Sequence, residues 1–124
     1  MNTEQWENEI KQATIDIGTY KDAFNPVINA LAKVLAQRDA VYERFIREGA
    51  MAVVERVSDR GAVNSAKNPL LVIWDNLNST ALSYWRELGL TPAGLKRIKD
   101  GLTKEEGKAS ALVTALKKMS GEDG

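Results

Sequence analysis

The chain has 124 residues, with 17 basic residues balanced by 17 acidic ones and with neither cysteine nor histidine. That length predicts a single domain with a modest core. The absence of cysteine and histidine excludes disulfides, thiolate metal sites, a histidine zinc helix, a thiol nucleophile and a Ser-His-Asp triad. No apolar run is long enough to span a membrane, so we expect a soluble intracellular protein. Because the sequence offers no catalytic constellation, we also expect no enzymatic activity and no cofactor.

The charge is distributed unevenly along the chain. Residues 1–18 carry four acids and one base, whereas residues 67–101 carry five bases and three acids. Between Pro92 and Lys99 there are three bases and no acid. Any anion-binding surface is therefore local, or it arises when one patch is repeated across an oligomer.

The first predicted element is a short helix from Thr3 to Ile17, which Gly18 ends. Acidic residues lie near its N-terminus, where the helix dipole favours negative charge. A loose N-terminal arm is the alternative, because chain ends are often poorly ordered. The apolar residues at helical spacing are Trp6, Ile10, Ala13 and Ile17.

The segment from Thr19 to Arg47 has the longest helical periodicity. Its wide apolar stripe is suited to a helical hairpin or bundle. Two starts are open, a capping box formed by Thr19 and Asp22, or the pair Asn25-Pro26. One seven-residue series in the stripe consists of Phe24, Leu31, Arg38 and Phe45.

Arg38 is the charged residue within this stripe. It could be the buried partner of an acid, or it could face a subunit interface. The interpretation we favour is that its aliphatic stem packs while its charged head reaches water.

The helical period is lost between Met51 and Lys67. Alternating residues on both sides of Asp59-Arg60-Gly61 predict a short β-hairpin, with a plain loop as the alternative. Two strands alone are marginally stable in water, so such a hairpin needs a neighbour to pack against. A second copy of the protein is one candidate.

A second long helix is predicted from Pro69 to Leu88, with Asn68 as its cap. It should pair with the first long helix as an antiparallel hairpin. Its first turn is apolar on nearly every side, which indicates either oligomerisation or burial under the β-hairpin. The residues expected in the core or between subunits are Trp74, Trp85, Leu70, Leu71, Ile73, Phe24, Leu31 and Phe45.

The remaining chain predicts two short helices. Gly89 caps the preceding helix, and Thr91-Pro92 starts a helix to Lys99 that Gly101 ends. Thr103 and Glu106 resemble the capping box of a last helix to Met119, which either docks or folds only against a partner. Residues 120–124 form a polar tail.

These elements predict a mainly α fold, built on a long antiparallel helical hairpin with a short β-hairpin or extended connection and with short C-terminal helices. Residues 1–18 form an arm or short helix, and residues 19–101 form the oligomerisation core with a basic end. Residues 102–124 form the C-terminal helix and tail.

Three basic residues face outward on the helix after Gly89, namely Lys96, Arg97 and Lys99. A helix, a glycine turn and a basic second helix have the outline of a helix-turn-helix. From the pattern alone, an ordinary solvated helix face is the simpler interpretation. In a ring, several copies would together contact phosphates without reading base sequence.

Two stretches carry a family resemblance. The sequences GTYKDAFNPVINALAKVLAQRDAVYERF (18–45) and KNPLLVIWDNLNSTALSYWRELGLTPAGLKRI (67–98) resemble the small terminase subunit of tailed bacteriophages and prophages. The resemblance implies a non-catalytic DNA-packaging factor in the host bacterial cytoplasm. It would form a homo-oligomeric ring, bind double-stranded viral DNA where packaging starts, and regulate the ATPase and nuclease of the large terminase subunit.

The resemblance also implies where the partners bind. Several small terminases have a separate N-terminal helix-turn-helix domain, and residues 1–18 are too short for one, so the ring itself should contact DNA. Residues 103–124 are a candidate site for the large subunit, on position alone. A small helix-turn-helix regulator is the alternative function. The candidate DNA-binding residues are Lys96, Arg97 and Lys99, followed by Lys67, Arg60 and Arg56.

Overall fold

The computed structural model describes residues 1–119, except for the side chain of Glu106. The predicted mainly helical fold with a short β-hairpin is confirmed. The polar tail predicted for residues 120–124 lies outside the described residues. In chain order the elements are α1 (Thr3–Ile17), one turn of 3₁₀ helix (Asp22–Phe24), α2 (Asn25–Arg47), β1 (Val53–Val57), β2 (Val63–Lys67), α3 (Pro69–Glu87) and α4 (Pro92–Met119).

Helix α1 has the predicted bounds and is docked on the body of the protein. The side chain of Asn2 accepts a hydrogen bond from the backbone N–H of Gln5, and the Gln5 side chain accepts one from the N–H of Asn2, each 2.8 Å long. This capping box satisfies two N–H groups that a helix start leaves unpaired. Ile10 and Thr14 are fully buried, and α1 packs against α2. The loose-arm alternative is therefore wrong.

Helix α2 begins at the second of the two predicted starts. Asn25 and Pro26 open the helix, and Pro26 fits there because the first turn needs no N–H from it. Thr19 does not form the predicted capping box. Its hydroxyl instead donates to the backbone carbonyl of Leu88, 3.0 Å away, which ties the α1–α2 connection to the end of α3.

Helices α2 and α3 form the predicted antiparallel hairpin. The rings of Tyr42 and Trp74 lie 5.7 Å apart, and the Arg38 guanidinium donates to the side-chain oxygen of Asn78 at 3.3 Å. The residue earlier in α2 contacts the residue later in α3, so the two helices run in opposite directions. The buried core that joins α1 to this hairpin consists of Ile10, Ile28, Leu31, Ala32, Leu35, Ala81 and Leu88.

The connection between α2 and α3 is the predicted β-hairpin. Strands β1 and β2 are antiparallel, with Val57 opposite Val63 and Val53 opposite Lys67. In the connecting turn, the N–H of Ser58 donates to the carbonyl of Ala62 at 2.8 Å. The plain-loop alternative is therefore wrong.

Asn68 joins the base of this β-hairpin to α3. Its side-chain oxygen accepts a hydrogen bond from the N–H of Leu70 at 3.0 Å, which confirms the predicted cap. Its side-chain amide donates to the carbonyl of Met51 at 2.9 Å. One nearly buried side chain thus fixes both the start of α3 and the return of the chain from α2.

The turn from α3 to α4 is tight. Gly89 has a φ of +74°, a left-handed conformation that favours glycine, and the N–H of Leu90 donates to the carbonyl of Trp85 at 2.8 Å. The Thr91 hydroxyl oxygen accepts from the N–H of Gly94 at 3.1 Å. Both the predicted stop at Gly89 and the predicted restart at Thr91 are confirmed.

The predicted break at Gly101 is wrong, because α4 is one helix of 28 residues. At about 1.5 Å per residue it is roughly 42 Å long. A glycine inside a helix costs only about 1 kcal/mol, and it ends a helix when it adopts the left-handed conformation, which Gly101 does not. Thr103 makes no cap there, since its hydroxyl donates to the carbonyl of Lys99. Beyond Ile98, every side chain of α4 that the structure describes is exposed.

Candidate nucleic-acid interface and interaction surfaces

The six candidate DNA-binding residues fall into two groups at opposite ends of α3. Lys96, Arg97 and Lys99 lie on α4, after the C-terminus of α3, whereas Arg56, Arg60 and Lys67 belong to the β-hairpin before its N-terminus. The 19 residues of α3 separate the ends by roughly 28 Å. Within one copy, the structure therefore does not bring the six into one site.

The group on α4 is exposed and only partly neutralised. The guanidinium of Arg97 lies 3.4 Å from the carboxylate of Glu87, and both side chains are more than half exposed. Such a surface ion pair is weak and can be exchanged for a phosphate contact. Among the described residues, neither Lys96 nor Lys99 has an ion-pair partner. This end of the molecule therefore offers cations to an anion.

The continuity of α4 extends this group into a longer basic face. Lys104 lies 7 residues after Arg97 and Lys108 lies 11 residues after it, so at 100° per residue both fall within about 20° of Arg97 around the helix. Both lysines are exposed. We call Lys96, Arg97, Lys104 and Lys108 the basic face of α4. Lys96 forms its edge, about 100° around the helix from Arg97, and Asp100 lies within it, whereas Lys99 lies about 160° from Arg97 and so outside it.

Sequence reasoning missed the outer half of this face because it ended the helix at Gly101. A signal for the continuous helix was present in the spacing of apolar residues across that glycine. Leu95, Leu102, Ala109 and Leu116 repeat every seven residues through Gly101. A repeat that keeps its phase across a glycine indicates one helix rather than two.

The group on the β-hairpin is more dispersed. The ammonium of Lys67 forms an ion pair with the carboxylate of Asp75 on α3. Arg56 lies on β1 and Arg60 in the turn, both exposed and both without an ion-pair partner among the described residues. These residues remain second choices for a DNA contact.

An apolar stripe runs along α4 beside its basic face, about 40° to 160° around the helix from Arg97. Its described members past the core are between 50% and 82% exposed, so no described element of this chain covers them. An apolar stripe of this length on an otherwise solvated helix marks a surface for another molecule. We call it the α4 stripe, and it consists of Leu102, Leu112, Val113, Leu116 and Met119.

A second apolar surface lies where α2 ends and α3 begins, next to the β-hairpin. The β-hairpin does not cover it, so the burial expected for the first turn of α3 is incomplete. Each member is more than 40% exposed. We call these residues together the α2–α3 patch: Tyr42 and Ile46 line one groove, Ile73 lines another beside Arg44 and Glu48, and Val72 is the fourth member.

The residues predicted for the core or the subunit contacts divide between these environments. Leu31 and Phe45 are buried, and Phe24 and Trp85 are partly buried. The three half-buried residues Leu70, Leu71 and Trp74 border the α2–α3 patch, to which the exposed Ile73 belongs.

The family model described as phage terminase, small subunit matches residues 3–105. The chain belongs to the phage terminase small subunit family. Its role is therefore in phage DNA packaging, and the resemblance seen in residues 18–98 is confirmed. No curated protein and no solved structure matches the chain.

The match spans the helical hairpin, the β-hairpin and the first half of α4. Three cations of the basic face, Lys96, Arg97 and Lys104, lie inside the matched range. Most of the α4 stripe lies beyond residue 105. The family match thus covers every cation of the basic face except Lys108, and it ends before most of the α4 stripe.

In this terminase small subunit, Arg38 lies in a polar cluster between α1 and the hairpin. Its guanidinium lies 3.1 Å from the Asp39 carboxylate and 5.6 Å from the centre of the Trp6 ring. The whole Arg38 side chain is 25% exposed. Of the three alternatives, the partner of an acid describes Arg38 better than the favoured water-facing head.

Asp39 is the centre of that cluster. It accepts hydrogen bonds from the Trp6 indole N–H at 2.8 Å, the Met1 amino group at 3.2 Å and the Arg38 guanidinium at 3.1 Å. Burial alone would raise the pKa of Asp39, but these hydrogen bonds and the Arg38 charge outweigh it and hold the pKa below its ordinary value. The cluster joins α1 to α2. Because Met1 and Trp6 are more than 30 residues away from Asp39 in the sequence, the helical periodicity gave no signal for this contact.

Among residues 1–119, acidic side chains form no cluster that could hold a metal ion. The helices described there are too short or too polar to cross a membrane. The surfaces that the described residues present to a partner are therefore the basic face of α4 and the two apolar surfaces, the α4 stripe and the α2–α3 patch.

Proposed function

We propose that the chain is a non-catalytic DNA-packaging factor that assembles into a ring, binds double-stranded phage DNA where packaging starts and regulates the large terminase subunit in the host cytoplasm. Family membership supports the packaging role. The observation that carries the DNA contact is the basic face of α4, which is exposed and aligned along one helix.

The basic face is suited to phosphates rather than to base edges. Arg97 and Lys104 are about 10 Å apart along the helix axis, and Lys104 and Lys108 about 6 Å, so the cations follow a line along which a phosphate backbone can lie. Between Pro92 and Met119 the sequence contains no Asn or Gln, the side chains that read adenine by paired hydrogen bonds. Binding should therefore depend strongly on salt and weakly on base sequence.

Assembly into a ring would supply the number of cations that a single copy lacks for binding DNA. A single basic face has four cations, with Arg97 shared with Glu87 and Asp100 nearby. Repeating that face around a ring multiplies the number of phosphate contacts without any new residue. The α2–α3 patch supports self-association, because an exposed apolar surface of this kind is typical of a protein–protein contact.

The α4 stripe is the surface we assign to the large subunit, since all of it except Leu102 lies within the predicted region 103–124. Its centre lies about 100° around the helix from Arg97, so α4 presents a basic side and an adjacent apolar side to two different partners. Its spacing suits an apolar groove that receives a helix at positions separated by three, four and seven residues.

A small helix-turn-helix regulator is the second candidate. The four-residue turn between α3 and α4 and their close crossing at Gly94 favour it. Such a regulator would bind one operator tightly as a dimer, whereas the packaging factor would bind many DNA sequences as a larger assembly. A comparison of affinity for unrelated duplexes, combined with the assembly mass, separates the two.

The test of the DNA surface is charge reversal on α4. We expect the double variant Lys96→Glu and Arg97→Glu to weaken retention of duplex DNA at least about tenfold in a gel-shift assay, because two phosphate contacts become repulsions. The mass of the assembly by light scattering should not change. A second double variant, Lys104→Glu with Lys108→Glu, tests the outer half of the face.

The matched control reverses two exposed lysines that lie outside α4. Lys21→Glu with Lys33→Glu changes the net charge by the same amount and should leave DNA retention within about twofold of the wild type. If the α4 variants retain DNA as well as this control does, the DNA surface lies elsewhere, and the β-hairpin residues Arg56 and Arg60 become the next candidates.

A further inference from the structure

The β-hairpin has one face that its own chain leaves uncovered. Side chains alternate across a strand, so the cross-strand register places three valines on the same face. These are Val53, Val57 and Val63, with exposed fractions of 54%, 70% and 59%. We call this the valine face.

The three valines are uncovered, although Lys67, which lies on the same face at the base of the β-hairpin, pairs with Asp75 of the chain's own α3. The opposite face carries Val54 and Ala66, which are half-buried. Val54 lines a groove together with Leu70 and Ile73 at the start of α3. Because that face is turned toward the chain's own helices, the valine face is turned outward. A two-stranded sheet is marginally stable alone, so covering the valine face would stabilise the β-hairpin.

The α2–α3 patch is the surface on this chain that fits the valine face in chemistry. Both are apolar, both are exposed, and the β-hairpin projects from the end of the molecule where the patch lies. Within the patch, Tyr42 and Ile46 line one groove together with Glu43 and Arg47, and this groove is the part that receives the valines. Within one copy the two surfaces are not joined, since the three valines, Tyr42 and Ile46 all remain exposed.

The charges at these two surfaces are complementary. Glu55 lies between Val53 and Val57 on the valine face. Arg47 lines the groove of the α2–α3 patch, along with Glu43 one turn earlier. Among the described residues, Glu55 and Arg47 each lack an ion-pair partner. Because Lys67 on the valine face is already paired with Asp75, the unpaired charge of that face is the acid Glu55, and the groove of Tyr42 and Ile46 presents Arg47 to it beside Glu43.

We propose that the valine face of one copy packs on the α2–α3 patch of a second copy, with Glu55 of one copy paired with Arg47 of the other. Each copy contributes a different surface, so the contact is head-to-tail and closes into a ring when the rotation between copies allows. The inference rests on the proposed self-association and names the two surfaces that produce it.

The experiment is a charge-swap cycle on the full chain, with assembly mass measured by native mass spectrometry and light scattering across micromolar concentrations. Glu55→Arg and Arg47→Glu each place like charges together, and each should raise the dissociation concentration of the assembly at least about tenfold. The double variant restores the pair with its charges exchanged and should return the dissociation concentration to near the wild-type value. Val57→Ser should weaken assembly without a charge change.

Glu9→Arg is the matched control, since Glu9 is exposed on α1 and remote from both surfaces. Circular dichroism checks that every variant keeps the wild-type helix content. If the wild type assembles and the single variants assemble equally well, the valine-face contact is overturned while the ring proposal stands. If the single variants weaken assembly and the double variant does not restore it, the Glu55–Arg47 pairing is overturned. A wild type that stays monomeric overturns the self-association in the proposed function itself.

Discussion

Gly94 sets how closely α4 crosses the end of α3, and its replacement by alanine should destabilise the fold. A Cβ built at Gly94 would lie 2.3 Å from the carbonyl oxygen of Arg86 and 3.0 Å from its Cα. These are backbone atoms of α3, so no rotation of a side chain relieves the overlap. Overpacking of this kind typically costs about 1–3 kcal/mol, while alanine gains about 1 kcal/mol of helix propensity over glycine. We expect the clash to prevail, with a net loss of up to about 2 kcal/mol.

The same helix provides a control with the opposite sign. A Cβ at Gly101 or at Gly107 would meet nothing within 4 Å, and neither glycine has a positive φ. Gly101→Ala and Gly107→Ala should therefore stabilise the protein by about 0.4–1 kcal/mol each. The three variants carry the same chemical change in one helix, so the difference between them isolates the close crossing at Gly94.

The assay is urea unfolding followed by circular dichroism at one fixed protein concentration, because self-association makes apparent stability depend on concentration. Gly94→Ala should also weaken DNA retention, since a shift of α4 reorients its basic face. A Gly94→Ala protein as stable as Gly101→Ala would refute the reasoning, and it would mean that α4 does not cross α3 at this distance.

Two further predictions concern the packing of α1 and α3. Trp85 is partly buried against the core, so Trp85→Ala should cost about 3 kcal/mol in urea unfolding, near the low end for a large aromatic. A near-neutral result would mean that Trp85 faces solvent or a partner. Because the folded-state pKa of Asp39 is lowered, its contribution to stability is present above its unfolded pKa of about 3.9 and is lost as the pH falls through the folded value. Asp39→Asn should reduce the loss of stability between about pH 4 and pH 2, and an unchanged pH profile would contradict the role of the cluster.

Features that depend on neighbouring residues were predictable from the sequence. The cap at Asn68, the stop at Gly89 and the restart at Thr91 each rest on a residue type within one turn of the feature it controls. The β-hairpin was also predictable, because alternation and turn residues are local signals. For the same reason, the bounds of α1 agreed with its periodicity.

Features that depend on residues distant in sequence were not predictable. The sequence predicted a local role for Thr19 as a helix cap. In the structure its hydroxyl instead donates a hydrogen bond to the backbone carbonyl of Leu88, 69 residues away. The ion pairs of Lys67 with Asp75 and of Arg97 with Glu87 reduce the free charge of the candidate DNA residues, and both depend on how α3 is placed. The error at Gly101 was of another kind, since a local stop signal was given more weight than the seven-residue repeat that runs through it.

The salt dependence of DNA binding can reveal how many copies act together. If the four cations of one basic face each contact a phosphate, the slope of log affinity against log salt should be about 0.9 per contact, or about 3.6 in all. For one copy, that slope predicts roughly a hundredfold loss of affinity between 50 mM and 200 mM salt. A measured slope well above about 4 would require contacts from more than one copy, because Arg97 is shared with Glu87 and Asp100 lies among the cations. A slope near or below 3.6 in a protein shown to be assembled would mean that the copies do not face the DNA together, and the basic face would then not line a common DNA-binding surface.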